Sequence, residues 1–339
     1  MSIVGRQSLK FKEAPYIYEC ASVVGKKEGE GPLGQFFDRI FEEGMCGCKS
    51  WEEAESFLQK NSLETLLAKS KMPVSDIRYI FSGDLLGQLI ATSFGVADFE
   101  VPLFGLYGAC STYGEGLSLS AMCVAAGYCE NAVAMASSHF ASAEKQFRFP
   151  LGYGNQRPLA ATYTVTGAGS AIVSRSKGNY NVRIKGVTTG RIVDYGVKDS
   201  MNMGACMAPA AADTIEANLR DFNVEPDYYD KIITGDLGSV GHTILCDLLM
   251  KKNIDIRDRH MDCGIEIFTE ELQDTHAGGS GCGCSAVTFN AYIMRQLNSG
   301  QWKRVLFVPT GALLSPVSYN EGKSVPGIAH GVVIEHADE

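Results

Sequence analysis

The sequence has no uninterrupted apolar run of the ~18–20 residues that a membrane span needs. Its longest apolar tract, Gly116 to Cys129, is too short and too rich in small residues. If the protein works at a membrane, something else holds it there. Met1 to Lys12 carries Arg6, Lys10 and Lys12 but no apolar segment of the signal-peptide kind, so an intracellular protein is expected. Positive charge is scarce: 30 Lys and Arg stand against 39 Asp and Glu, a formal net charge of −9. That balance excludes nonspecific nucleic-acid binding, which needs a basic face to neutralise phosphates. No EF-hand-type loop is present, so no dedicated calcium site is expected. Gly152-Tyr-Gly154 and Gly167-Ala-Gly169 lack the strand-to-helix frame of a dinucleotide fingerprint.

The cysteines are numerous but not patterned. Eleven is an odd count, and the pairs Cys46/Cys48 and Cys282/Cys284 lack the spacing of a structural zinc site. Most read as buried thiols acting as small hydrophobes. His242, His260 and His336 read as structural or solvated, and neither a metal nor a cofactor is expected.

A long internal repeat is present. Asp76-Ile-Arg-Tyr-Ile-Phe-Ser-Gly-Asp-Leu85 and Asp230-Lys-Ile-Ile-Thr-Gly-Asp-Leu237 are short apolar strands with the same ending. Each follows an amphipathic helix. Ser50 to Ser70 opens with the capping box Ser50/Glu53 and stripes Ala54, Phe57 and Leu58; Ala211 to Phe222 stripes Ile215, Leu219 and Phe222. Gly108-Ala-Cys-Ser-Thr-Tyr-Gly-Glu-Gly116 then runs into a small-residue helix and the strand Ala132–Ala136. Gly278-Gly-Ser-Gly-Cys-Gly-Cys-Ser285 runs likewise into a helix and the strand Arg304–Val308. Each half closes on a Gly-rich approach to an apolar strand, at 166–173 and 326–334. Alternating strands and helices predict a mixed, mostly parallel sheet covered by helices. Two such units stacked predict a layered α/β/α/β/α arrangement, with halves 1–175 and 176–339 joined at the polar linker Ser174 to Asn179. The stretch from Gly25 to Lys49 is too long for an ordinary loop; Phe36, Phe37, Ile40 and Phe41 suggest a short helix packed as an insertion.

This duplication, with Gly-Ala-Cys-Ser-x-x-Gly before a small-residue helix, resembles the thiolase superfamily, which includes thiolases and ketoacyl-ACP synthases. The resemblance covers essentially the whole chain and implies a thiolase-like fold. Met203-Gly-Ala-Cys-Met-Ala-Pro209 looks like the second-half opening of thiolases. Longer segments resemble one branch, the stage V sporulation protein AD (SpoVAD) family of endospore-forming bacteria. They are Gly31-Pro-Leu-Gly34, Gly83-Asp-Leu-Leu86, Ser137-Ser-His-Phe140, Gln146-Phe-Arg-Phe-Pro150, Gly154-Asn-Gln-Arg157, Met207-Ala-Pro-Ala-Ala-Ala-Asp213 and Pro326-Gly-Ile-Ala-His330. That resemblance implies a sporulation protein that binds dipicolinic acid (pyridine-2,6-dicarboxylate). It implies action at the spore inner membrane with membrane SpoVA proteins, moving the ligand and calcium into the developing spore. A homodimer is expected with the fold.

Cys110, after a glycine turn and before an apolar helix, stands where such enzymes carry their nucleophile, and is expected to line the pocket. Condensing chemistry also asks for an oxyanion hole and a base. At the first partner position, where type III synthases place His and thiolases Asn, this chain has Asp236. His276, in Asp274-Thr-His-Ala-Gly-Gly-Ser-Gly281, is the expected second partner of Cys110. The synthase Asn is replaced by glycine near Gly279, and the second thiolase cysteine is absent, Gly327-Ile-Ala-His330 standing there instead. The condensation chemistry therefore reads as lost or much altered. A planar dianion instead needs donors, cations and flat faces. His139, Lys145, Arg148 and Arg157 supply that character among Phe147, Phe149 and Tyr153, and with Cys110 and His276 form the expected ligand set. Calcium would ride on the ligand's carboxylates. Two other functions stay open: an acyltransferase using Cys110, and an assembly scaffold with a vestigial pocket.

Overall fold

Two runs of chain build sheets of one design in the computed structural model, which describes residues 2–147 and 156–337. The first run supplies β1 (Tyr16–Gly25), β2 (Tyr79–Gly83), β3 (Leu103–Gly105), β4 (Asn131–Ser138) and β5 (Gly167–Ser174). Their order is β3-β2-β4-β5-β1; β2 runs parallel to both neighbours and β5 antiparallel to both of its own. The second run supplies β6 (Val182–Thr188), β7 (Lys231–Thr234), β8 (His260–Asp262), β9 (Arg304–Val308) and β10 (Gly331–His336). The order β8-β7-β9-β10-β6 repeats the same polarities. A single pairing, Arg183 with Tyr16, links β6 to β1; three short strands complete a thirteen-stranded sheet.

Helices fill the space between the two halves and cover their outer faces. α1 (Trp51–Ser70) covers β1 and β5 from outside, while α2 (Thr112–Ala125) lies between β4 on one side and β10 on the other. α3 (Phe140–Phe147) follows β4. In the second half α4 (Met203–Phe222) packs on α5 (Gly238–Met250), and α6 (Cys282–Thr288) lies against β4 and β5 of the first half. The result is the expected layered α/β/α/β/α arrangement. β4 and β5 are covered on both faces, which is why they read as continuous Ala/Val/Met and Gly/Ala/Ile runs without alternation. The small residues of α2 let it approach β2 closely: a Cβ on Gly116 would stand 3.2 Å from the Phe81 carbonyl oxygen.

Local signals set several elements. The Ser50 hydroxyl accepts the Glu53 N–H at 3.2 Å, and the Glu53 carboxylate accepts the Lys49 N–H at 2.9 Å, so the α1 start is capped from both sides. α4 begins eight residues before the apolar stripe suggested, because Gly204 and Cys206 to Ala212 are buried nearly all round and show no stripe. The segment 25–49 holds a short helix, Lys26–Gly29, but its apolar pattern is not helical. Phe36 closes a 3-10 turn, and Ile40 and Phe41 lie in a strand, Arg39–Phe41, paired parallel with β1. Among the described residues, no helix is long and apolar enough to cross a membrane.

Candidate functional site

The Gly108-Ala-Cys turn is tight. Ala109 takes the left-handed conformation, φ 51, and one 3-10 turn, Ala109–Ser111, leads directly into α2. The Ser111 and Thr112 hydroxyls donate to the carbonyls of Gly108 and Ala109, each at 2.7 Å. The strand Thr310–Ala312 presses on this turn: a Cβ on Gly311 would lie 2.6 Å from the Gly108 oxygen. These contacts deliver the Cys110 side chain, buried, to the N-terminal end of α2.

Its neighbours are hydroxyls and a carboxylate. Asp236, two residues past β7 and fully buried, accepts the Ser280 hydroxyl at 2.6 Å and the Gly281 N–H at 3.1 Å on one oxygen. On the other it accepts the Thr310 hydroxyl at 2.8 Å. Ser280 Oγ lies 4.0 Å from Cys110 Sγ. Because the Ser280 proton goes to Asp236, the thiol is the donor toward Ser280. Gly281 fits only as glycine: its φ is 104, and a Cβ would lie 2.6 Å from Ser138 Oγ.

Asp236 and Cys110 both resist ionisation. Burial lifts Asp236 from 3.8 to about 6, against the hydrogen bonds it accepts. The Cys110 thiol is raised well above the ordinary range, first by burial and then by the negative charge of Asp236. A helix N-terminus favours thiolate, but here desolvation and a like charge win. Cys282, whose thiol donates to the Ala109 carbonyl at 3.0 Å, is also raised, first by burial and then by the negative charge of Asp84.

A cavity of about 290 Å³ opens above Cys110. Leu85, Phe147, Met203 and Leu314 give it apolar walls, and Thr162, Thr164, Gln146 and Ser280 bring polar groups. Among its described lining residues there is one carboxylate, Glu144, and no Lys, Arg or His.

The sequence-derived residues fall in several places. Cys110 and Asp236 are brought together through Ser280. The His276 ring lies 3.0 Å from the Pro158 carbonyl through Nδ1 and 3.1 Å from the Asp274 carboxylate through Nε2; it does not line the cavity. Arg157 donates to the Asp274 carbonyl at 2.8 Å and lies 5.0 Å over the Tyr163 ring, so it meets His276 on Asp274. His139 is buried beneath α3, held between the Gly44 carbonyl at 2.8 Å and the Ala141 N–H at 3.1 Å, and burial holds its pKa down. Lys145 pairs on the surface with Glu52 at 2.7 Å. Arg148 lies outside the described residues. Gln146, which lies in the quoted Gln146-Phe-Arg-Phe-Pro150 segment, does line the cavity, whereas sequence reasoning did not single out Thr310, Glu144 or the wall from Ala312 to Pro316. Ser280 stood inside the quoted Gly-Gly-Ser-Gly segment, which was its available signal.

Three comparisons bear on this geometry. The family model for stage V sporulation protein AD matches residues 5–335. Stage V sporulation protein AD of Bacillus subtilis (strain 168) is 41% identical over 337 residues, covering 99% of each chain. Among solved structures, 3-oxoacyl-[acyl-carrier-protein] synthase III from Aquifex aeolicus VF5 superposes over 95% of this chain and 99% of its own, with TM-score 0.58 and 12% identity. Human mitochondrial 3-ketoacyl-CoA thiolase in complex with CoA does so over 98% and 100%, with TM-score 0.58 and 10% identity.

Proposed function

We propose a ligand-binding role, not a condensing one, for this chain, which belongs to the stage V sporulation protein AD family. It is a sporulation protein with a thiolase-like fold. One observation carries the reading: the Cys110 thiol faces Ser280 and the buried Asp236 in a cavity whose described lining holds no basic side chain. A nucleophilic thiol needs a nearby cation or base. This one has a carboxylate.

The proposed ligand is dipicolinic acid. A cavity of about 290 Å³ sits at the small end of ligand sites, suited to a single ring rather than a long acyl chain. Its walls would take the ring and its hydroxyls the carboxylates. The calcium chelate of a dianion is neutral and suits a lining that carries Glu144. Arg148, next in sequence to the wall residue Phe147, is the proposed cationic contact. Arg157 and His276 are proposed to support the loop at Asp274. The protein would pass the ligand, with calcium, to SpoVA membrane proteins at the spore inner membrane. It would act as a homodimer through the free edge of β3.

Calorimetric titration with dipicolinate, with and without calcium, against pyridine-2-carboxylate tests this. The dicarboxylate should bind at least tenfold tighter, tightest with calcium, and Thr164→Ala, which removes a lining hydroxyl, should weaken it. Absent binding, or equal binding of the two acids, would overturn the reading. The access of the cavity to Cys110 favours a second reading, acyl transfer. Incubation with acyl-CoA and intact-mass analysis should show no Cys110 adduct; a stable adduct would restore it.

A further inference from the structure

On the second half, away from the cavity, two histidines and a cysteine converge. His242 and Cys246 stand four residues apart on α5, one turn along the same face. His260 opens the neighbouring edge strand β8. One ligand atom from each lies within 4.8 Å of the others. Cys246 is buried and the two histidines are half-buried.

The hydrogen bonds fix which nitrogen of His260 is available. The Asp262 carboxylate accepts from the Thr234 hydroxyl at 2.6 Å, the Leu237 N–H at 2.8 Å, the Gly238 N–H at 3.0 Å and the Ile265 N–H at 3.3 Å. With four donors it acts as an acceptor, so the Thr234 proton is spent on it. Thr234 Oγ1 then accepts from His260 Nε2, 2.9 Å away. His260 is left with its lone pair on Nδ1, and that atom lies 2.6 Å from Nδ1 of His242. Burial, with His242 and Lys231 nearby, keeps the His260 ring neutral. A hydroxyl–carboxylate pair that fixes the far nitrogen of a ring is the support a metal-ligating histidine commonly has. Cys246 Sγ lies 4.0 Å from His242 Nε2, completing a mixed nitrogen and sulfur set.

We propose that His242, Cys246 and His260 bind a zinc ion, with water in the fourth position. Imidazole and thiolate together suit zinc at bonds of about 2.0–2.3 Å; because His242 faces His260 through Nδ1 and Cys246 through Nε2, its ring turns on binding to give one nitrogen to the ion. Binding replaces the thiol proton of Cys246 and releases it to solvent; both histidines enter neutral. The ion would tie α5 to β8 across the intervening loop. Through Thr234 and Asp262 it would also brace the Leu237–Gly238 turn that follows Asp236.

The full chain, stripped of metal, is titrated with cobalt(II) as a spectroscopic stand-in and then with zinc in competition. One equivalent should produce thiolate-to-cobalt charge-transfer absorption, bleached by zinc, and zinc should raise the melting temperature. Cys246→Ser should abolish the band and the thermal shift. His242→Gln should weaken affinity at least tenfold, and it decides the matter if Cys246→Ser fails the circular-dichroism check of folding. A variant with both Cys46→Ser and Cys48→Ser should behave as wild type. No band in the wild type, or a band that survives Cys246→Ser, would overturn the proposal and leave a plain hydrogen-bonded histidine pair.

Discussion

A carboxylate lifted to about 6 by burial and a buried thiol face each other across the Ser280 hydroxyl, and the charge of Asp236 makes the thiol still harder to ionise. Asp236 has a folded pKa above its ordinary 3.8, so its contribution to stability is full below about 4 and is lost as pH rises through about 6. The difference corresponds to about 3 kcal/mol. Asp236→Asn should flatten that part of the pH–stability curve between pH 4 and 7, read by urea unfolding. It should also speed alkylation of Cys110 by iodoacetamide, roughly tenfold if removing the charge relieves about 1.4 kcal/mol. Unchanged alkylation, followed by peptide mass spectrometry, would mean that burial alone silences the thiol. Both residues were legible because the internal repeat marks their segments and the thiolase resemblance marks their positions within them. Thr310 was not, since nothing in Arg304–Val308 says which side chain past the strand turns to the carboxylate. The metal-site candidate was hidden for a related reason: His242 and Cys246 share a helix face, but His260 reaches them only through the packing of β8.

At the scale of elements, the second half enters the first through one helix. α6 continues as a π turn over Phe289–Ile293, and the Asn290 side chain in that turn serves three partners. It accepts the Tyr113 hydroxyl at 2.7 Å and donates to the carbonyls of Ala21 at 2.9 Å and Ser170 at 3.2 Å. α2, β1 and β5 are thus held to α6 at one buried amide, beside the Tyr113, Phe289 and Phe307 rings. Tyr113→Phe leaves the Asn290 oxygen buried without its donor and should cost about 1–3 kcal/mol in urea unfolding. A cost near zero would mean that water replaces the hydroxyl. Elements defined by local chemistry were readable: the Ser50 cap predicted the start of α1, and the apolar run predicted β9. The segment 36–41 was not, because four apolar residues in six fit a helix turn or a strand equally, and pairing with Val23 to Gly25 decided it.

At the scale of the whole molecule, the two halves end unlike one another. β8 closes the second sheet at one edge, beside α5. β3, the opposite edge, pairs on one side with β2, and Leu103, Phe104 and Tyr107 around it are exposed, with Phe94 exposed nearby. Phe104 stacks on Phe81 at 5.0 Å and still leaves half its surface open. Open apolar edges invite strand pairing unless covered. A two-fold copy pairing β3 with β3 would join both sheets and cover these rings. It would also bring a second chain near the cavity wall, because Tyr107 belongs to both the edge and the lining. Light scattering after size exclusion should give twice the chain mass for the wild type. Phe104→Asp, which places a charge at the centre of such a seam, should give one chain mass and weaken dipicolinate binding together with it. A monomeric wild type would sink the dimer. A monomeric Phe104→Asp that binds dipicolinate unchanged would show that each chain carries a complete site.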